Sequence, residues 1–554
     1  MALTKLKLPL GSATSRLTLT QTEVDTLIRV AKSSVITQKQ VTGYVFKSEI
    51  TDREYYYLTE VLGLNVAYDT KTADTWTLTS DKATLADGET ATLTIGGGLP
   101  LSEFTLEMGT VTVEFGSVTQ EAAAACFTLS GNTLTFDEGS LSGEYAFVAT
   151  VRAYPVWDTT DVKTVTLKVS TVVRTVVINP ASASAELEHH GDVSMIEDYL
   201  QRCKCYVFNA NGSKKAEIKS ATFTGTYANG MTGGKVVFAD DTEALLSDLN
   251  AAGCNFMVLR PALYIWSGTE NGDEVLKCSG AYDLLGEAKK VFPKKYIGMF
   301  KAFAQNGVLK SQPGRVPTGQ QTIATFQSQA RTGNGNYGLW NYSDWCKENA
   351  LHLAYFANTN YEANVGVGRI EDYDNVRNIV TGYTLPLAGK YRCGTAMTTK
   401  NGGATVNCLN FFGIEGMGEQ IWEFVIGFRH DGSKAYIWDE NSWSETHAAD
   451  RTFNLGVTSA SGVYIQTIIA GQHFDLLPRA TGASSSTGMC DGHWASTNGR
   501  LLFVGGRAAG GSLCGLSCSN ANNDFSDSYA IIGARLAFYG EPATVAGSEL
   551  VASL

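Results

Sequence analysis

The residues of this chain that could carry chemistry are its cysteines, its few histidines and some acidic turns. Cys514 and Cys518 lie close together near the C-terminal end, and Cys203 and Cys205 are separated by one residue. Such thiols could serve oxidation or metal binding. A reactive thiol needs an electropositive setting that favours the thiolate. The nearest cation in sequence to Cys514 is Arg507. No Cys-x-x-Cys occurs, and 11 cysteines are an odd number without framework spacing. They read as buried, reduced, core-packing thiols. His189-His190 could suggest a metal, but no third ligand stands in a fixed register. Trp438-Asp439-Glu440-Asn441 lacks the converging oxygens that calcium demands. His473, His493 and Trp494 could line a sugar-cleaving cleft, yet no carboxylate pair at a recognisable spacing accompanies them. Asp491-Gly492-His493-Trp494 reads either as a turn with a packed Trp or as a binding edge. The expectation is a binding protein and not an enzyme, with no cofactor and no metal.

The elements that must position these residues are mostly strands. A length of 554 residues predicts three or four domains at ~150 residues each. Hydrophobic content of 44% is ample for a core, and 57 glycines against 11 prolines imply many turns. Net charge is −12 and no lysine follows Lys434. Clustered cations are what nucleic acid requires, so nucleic acid is not an expected partner. The one basic cluster, Lys289, Lys290, Lys294 and Lys295, reads as a solvated turn. The first twenty residues have no apolar run fit for a signal peptide. No stretch approaches the ~18 apolar residues of a membrane span. The expectation is synthesis in a cytosol, without membrane insertion.

Residues 1–68 read as a small α/β attachment or oligomerisation unit. Val24, Leu27, Ile28 and Ala31 share one face of a helix over Glu23–Lys32, and a second helix is expected from Asp52 to Leu62. Residues 69–172 read as all-β, with seven short alternating runs separated by turn signals. Residues 173–196 read as a linker. From 197 the pattern becomes α+β. Helices are expected over Thr242–Ala252, Gln321–Arg331 and Ser343–Ala357, with strands at Phe256–Arg260 and Tyr296–Phe300. Residues 546–554 read as a tail.

Between the apolar runs Leu501–Val504 and Ile531–Tyr539 lies a long irregular segment with glycines at 505, 506, 510, 511 and 515. A compact domain tolerates such a loop chiefly when it is functional or disordered. Its Ser, Asn, Asp, Phe and Tyr resemble what paratopes favour, adaptable hydrogen-bonding groups with a few rigid aromatics.

Two further resemblances emerge. ATLADGETATLTI, GEYAFVATVRA and VKTVTLKVS resemble bacterial and phage immunoglobulin-like spacer domains. FMVLRPALYIW (256–266), residues 292–331, residues 341–368 and the closing GG…CGLS…IGARL resemble the variable receptor-binding proteins diversified by retroelements. Their fold is C-type lectin-like and is shared with formylglycine-generating enzymes. The resemblance covers about 197–545. It implies a multidomain, β-rich chain: a small α/β unit, an immunoglobulin-like β-sandwich and an α+β C-type lectin-like domain. It also implies a fixed frame of Gly505, Gly506, Gly511, Cys514, Gly515, Leu516, Ile532, Gly533, Ala534, Arg535 and Leu536. The ligand-facing set would be Arg507, Ala508, Ser512, Leu513, Ser517, Cys518, Ser519, Asn523, Asp524, Phe525, Asp527, Tyr529 and Ala530, with Trp494 beside it.

The function so implied is that of a phage tail-fibre-type adhesin in the virion, a homotrimer bound through its N-terminal unit to other virion proteins. Its partner would be a host cell-surface receptor, glycan or protein, met by the 507–530 surface. The alternatives are a structural virion protein, such as a head-decoration or baseplate component, and an enzyme of the formylglycine-generating type.

Overall fold

Alternation of β-branched and aromatic residues with small polar ones carries through into a β-rich architecture of several sheets, with 43% strand against 16% helix. The computed structural model describes residues 44–554 apart from 57–59, 61–65, 73–74, 83, 86–87, 116–117, 140, 142–144, 171–173, 179–183, 192, 228, 271–272, 280–289, 372, 390–392, 400–402, 470 and 472. The helix expected over Glu23–Lys32 lies outside these residues. The chain divides into two compact units, Met1–Ser170 and Thr171–Leu554.

In the first unit, strand Tyr44–Thr51 pairs in parallel with Val66–Thr72, and helix Asp52–Tyr56 follows the first of them. The rest of the helix expected to reach Leu62 lies mostly outside the described residues. Arg53 on this helix donates to Glu103 at 2.7 Å, with both side chains buried. The expected boundary at residue 68 therefore falls inside one compact unit. Two four-stranded sheets follow. One is built from Leu78–Ser80, Thr90–Ile95, Thr133–Phe136 and Phe127–Ser130, the other from Thr84–Leu85, Lys163–Ser170, Ala146–Pro155 and Phe104–Phe115. Inward residues of both, such as Leu93, Leu134, Phe147 and Leu167, share one cluster. This is the outcome of period-two patterning on facing sheets.

The second unit corrects two expectations. The presumed linker contains strand Arg174–Ile178, paired antiparallel with both Asp273–Ser279 and Glu188–His190. Val176 and Ile178 alternate inward there, which is strand patterning and not linker composition. The presumed tail is helix Gly547–Ala552, whose Leu550 is fully buried. The basic cluster departs from a solvated turn at Lys290 and Lys295, while Lys294 stays exposed and Lys289 lies outside the described residues. Lys295 pairs with Asp344 at 2.9 Å, Lys294 with Glu541 at 2.8 Å, and Lys290 with Asp439. Each cation meets a carboxylate from a distant part of the chain, which a local reading cannot supply.

A 15-stranded sheet dominates this unit. Nine of its strands concern the site: β1 (Cys205–Phe208), β2 (Asn255–Arg260), β3 (Lys295–Lys301), β4 (Trp422–Phe424), β5 (Ala460–Ile469), β6 (Gly492–Ala495), β7 (Phe503–Val504), β8 (Ser519–Ala521) and β9 (Ile532–Phe538). Their spatial order is β1-β2-β3-β9-β4-β7-β8-β6-β5. The pairs β9–β4 and β8–β6 are parallel.

Two helices pack on this sheet. α1 (Ile323–Gly333) is capped by Thr322, whose Oγ1 accepts the Thr325 amide at 3.2 Å. Its Ile323, Phe326 and Ala330 are buried, as their spacing predicts, in a cluster with Phe424, Phe503 and Ile532. α2 (Tyr342–Phe356) opens with a capping box. Asn341 Oδ1 accepts the Ser343 amide, and Asp344 Oδ2 accepts the Asn341 amide. Its Cys346, Leu353 and Ala354 join a second cluster with Val504 and Ala537. Successive strand residues alternate between the two clusters, so each helix covers one face. The expected helix over Thr242–Ala252 is shorter, Leu246–Ala251, because Glu243–Leu245 is recruited as a strand by Gly230–Phe238.

α2 is buried on every side, including Lys347, Glu348, Asn349 and His352. Such enclosure is costly for polar groups without partners, and Lys347 Nζ has no hydrogen-bond partner among the described residues, its ammonium pushed down to about 8 by burial. Glu348 is partnered by Arg260 at the end of β2, which donates to it from Nε and Nη2 at 2.8 and 2.9 Å with both side chains fully buried.

Candidate ligand-binding surface

The frame comes first. Arg535, alternating with apolar neighbours on β9, points to the α2 face and is fully buried. Its guanidinium donates to both Glu423 carboxylate oxygens at 2.8 Å, to the Gly298 carbonyl at 3.0 Å and to the Glu415 carbonyl at 2.9 Å. Lys301 on β3 donates to the same carboxylate and to the Ile421 carbonyl. One carboxylate thus serves two buried cations and ties β3, β4 and β9 together. Burial opposes the Glu423 charge, but Arg535 and Lys301 outweigh it and hold its carboxyl below the usual range.

The loop after β7 is built around Cys514. Gly506 has φ +74°, and a Cβ there would lie 2.7 Å from Cys514 Sγ. Only glycine accepts both the backbone angle and the contact. The Arg507 amide donates to Cys514 Sγ, and the thiol donates to the Arg507 carbonyl at 3.1 Å. The next turn is clamped from elsewhere. Trp345 Nε1 donates to the Leu516 carbonyl at 2.7 Å, Ser517 Oγ donates to Asn349 Oδ1 at 2.7 Å, and the Ser517 amide donates to Asp491 Oδ2 at 2.7 Å. Gly515 is required because a Cβ there would meet Asp491 Oδ1 at 2.1 Å. Burial pushes the Asp491 carboxyl well above the usual carboxylate range.

These contacts redraw the expected division. Ala508, Ser517, Cys518 and Ser519, expected to face a ligand, are buried. Ala508 packs with Val376, Ile379 and Cys408, and its amide bonds the Gln420 carbonyl. Cys518 joins the cluster under α1. Ser519 lies on β8 with its hydroxyl 2.9 Å from His493 Nδ1. Conversely Gly511, expected in the frame, is exposed with φ +57° and nothing near a Cβ. The other expected frame residues are buried.

The remaining positions reach solvent in two groups. Ser512 and Leu513 lie in a short 3-10 turn over Gly511–Leu513, and Arg507 precedes it. Arg507 Nη1 folds back onto the Ala508 carbonyl, and Ser512 shares a hydrogen bond with Tyr464 on β5 at 2.7 Å. Asn523, Asp524, Phe525, Asp527, Tyr529 and Ala530 form the second group. Asp527 shapes it by accepting from the Asn523 side chain and the Asp524 amide, each at 2.9 Å. Tyr529 is 52% exposed. Phe525 rests against Trp443 with ring centroids 5.6 Å apart, and Trp494 meets Trp422 edge-to-face at 5.5 Å. Asp491–Trp494 is not a turn: Gly492–Ala495 is β6, and Trp494 stands opposite Asn520 of β8.

Tyr464, Trp443, Asn520 and the clamp of Asp491, Asn349 and Trp345 escape a reading of the sequence. All but Asn520 lie outside the segment, on β5, in α2 or in irregular stretches beside strands, and no local signal ties them to it.

Most of the groups first suspected of chemistry are otherwise engaged, whereas His473 Nδ1 is buried without a hydrogen-bond partner among the described residues. All 11 cysteines are unpaired, and all but the half-buried Cys393 are buried. Burial, with added repulsion from Asp491, pushes the Cys514 thiol up to about 12. The Cys518 thiol is likewise pushed well above its ordinary value, chiefly by burial. Both are therefore thiols at neutral pH, not nucleophilic thiolates. Iodoacetamide at pH 8 is expected to label neither Cys514 nor Cys518 in the native chain and both in denaturant, read by peptide mass spectrometry. Rapid native labelling of Cys514 would refute the packing described. Asp439 contacts Lys290, Arg451 and Ser343, and His190 pairs with Glu188. Among the described residues no three His, Cys, Asp or Glu side chains group as a metal site. A cavity bounded by Ile178, Leu187, Thr359, Ile468 and Met489 holds about 20 Å³, room for about one water. The surface that remains can bind by shape, stacking and hydrogen bonds.

No protein-family model matches the chain, and no curated protein matches it.

Proposed function

We propose that this chain is a receptor-binding adhesin of the phage tail-fibre type. Residues 75–170 are its immunoglobulin-like spacer, and the second unit is its C-type lectin-like head. Two helices flanking a mixed sheet, with a parallel pair at its centre, support the second assignment. The observation that carries the reading is the division of Leu501–Tyr539. Backbone and frame are locked by buried contacts, while hydroxyl, amide and aromatic side chains of 507–513 and 520–530 reach solvent. Several copies on one particle would convert weak single contacts into firm attachment through effective concentration.

The test is competition. Purified full-length protein is expected to block adsorption of the phage that carries it to host cells. Ser512→Asp combined with Tyr529→Ala should weaken that inhibition about tenfold or more, the loss of one or two interface anchors, with the thermal melt unchanged. No inhibition at saturating protein would sink the adhesin reading. Particles that fail to assemble without the chain, yet adsorb normally once formed, would favour a structural virion role.

A further inference from the structure

We propose that the ligand of this surface is an uncharged glycan, stacked on Trp494 and held by hydrogen bonds along β8 and the 522–530 loop. This rests on the receptor-binding reading and narrows it to a class of ligand.

Charge narrows the choice first. No lysine follows Lys434, Arg507 is folded onto a backbone carbonyl, and Asp524 and Asp527 sit within the displayed set. Recognition of phosphate, sulfate or carboxylate depends on convergent cations, above all arginine forks. A face that carries acids and no free cationic cluster disfavours anionic polymers. Polar capacity narrows it further. Among the described residues the indole N–H groups of Trp443 and Trp494, the Tyr529 hydroxyl and Asn520 Nδ2 make no hydrogen bond, while Asn520 Oδ1 accepts the Asn522 amide at 3.0 Å. These are neutral groups, fit to meet hydroxyls.

The rings supply the stacking surface. Trp443, Trp494 and Phe525 lean on the same apolar cluster beneath α1 while keeping part of their surface open. Edge-to-face contacts hold them, Trp422–Trp494 at 87° and Trp443–Phe525 at 67°. A ring so held loses little entropy on binding. The polarised C–H groups on one side of a pyranose match the negative face of an aromatic ring, and its hydroxyls then point outward to the neighbouring donors. A protein partner would call for a desolvated apolar centre. Here the largest exposed apolar side chain of the 507–530 set is a tyrosine that carries its own hydroxyl.

The test uses the full-length protein. Binding is measured to a printed array of neutral hexose and N-acetylhexosamine oligosaccharides beside sialylated and uronic-acid ones. It is measured also to a panel of bacterial strains before and after periodate or proteinase K treatment. The expected result is binding to neutral oligosaccharides and to cells, abolished by periodate and spared by the protease. Trp494→Ala should weaken binding about tenfold, within the range for loss of one aromatic contact, and Trp494→Phe should retain most of it. Tyr529→Ala, at an exposed position, should also weaken binding without moving the melt. Cell binding that survives periodate but not protease would overturn the glycan proposal and leave the adhesin reading standing, as would a Trp494→Ala protein that is folded and binds as well as the original. Absence of binding to every strain, together with failure to compete for adsorption, would overturn both.

Discussion

Replacing Glu423 with alanine is expected to destabilise the second unit by about 3–5 kcal/mol, the scale for removing one partner of a buried ion pair. The cost arises from what remains. Arg535 and Lys301 are both buried, and both spend their main charged contact on this carboxylate. Without it two cations face each other in a low dielectric, where a lone charge has no water to stabilise it. Lys301 can escape by losing its proton, since burial already pushes its ammonium down to about 8. Arg535 cannot. Three strands meet at this carboxylate, so the loss spreads to the base of the loop that carries the site. The melt of the second unit should fall by about 4–6 °C, while that of the first unit stays in place as an internal control. Glu423→Gln, which keeps shape and acceptor, should cost less. A Glu423→Ala protein that melts like the original would show that the triad is not what holds β3, β4 and β9 together.

The second large effect is acid sensitivity. Burial pushes His430 and His493 down to about 4, and His352 to about 3. These rings are 1%, 2% and 1% exposed respectively, so each is held neutral in the folded state. The unfolded chain takes up protons as pH falls below ~6.5, the ordinary histidine value. The folded chain does so only near pH 4 or 3. Stability from these histidines is therefore fully present above ~6.5 and is lost as pH falls from there toward 4. His430 and His493 would contribute about 3 kcal/mol each, at 1.36 kcal/mol per pH unit. Asp491 works in the opposite sense. Its raised carboxyl pKa favours the folded state in acid, and that contribution is lost as pH rises through the folded value. Its presence makes the total slope shallower than the histidines alone would set. The measurement is the melt of the second unit from pH 7 to pH 4. It should drop throughout this window, and His493→Gln, able to keep a bond to Ser519, should flatten the drop. A melt independent of pH between 6.5 and 4 would contradict the burial of these rings. Loss of order at β6 and β8 in acid would also remove Trp494 and Asn520 from the displayed face, so binding should fall over the same window.

Much of the scaffold is legible from the residues alone. The helices expected over Gln321–Arg331 and Ser343–Ala357 form within two residues of those starts, where Thr322 and Asn341 cap them by local bonds to the next few amides. Ile323, Phe326 and Ala330 face inward because helical spacing puts them together. The apolar runs Leu501–Val504 and Ile531–Tyr539 mark the strands Phe503–Val504 and Ile532–Phe538, and the glycines between them mark where the backbone must bend or approach another part of the chain. Position 535 is also recoverable in kind. An arginine among apolar strand neighbours must find buried acceptors, although nothing nearby says that Glu423 is one of them.

Only the tertiary structure decides which polar residues of 507–530 are scaffold and which are surface. Ser512 and Ser517 are the same residue type five positions apart in one irregular segment. Ser512 reaches solvent, while Ser517 is held by Asn349 and Asp491. In a strand or helix the period fixes which way a side chain points. In an irregular loop there is no period, and exposure depends on what distant segments bring alongside. The same reason explains Lys295, which is buried because Asp344 from a distant helix lies against it. Caps, strands and glycines come from local rules and were written in the sequence. The display set, its aromatic neighbours and the charges beneath it come from contacts more than a hundred residues apart in several cases, and those only the folded chain brings together.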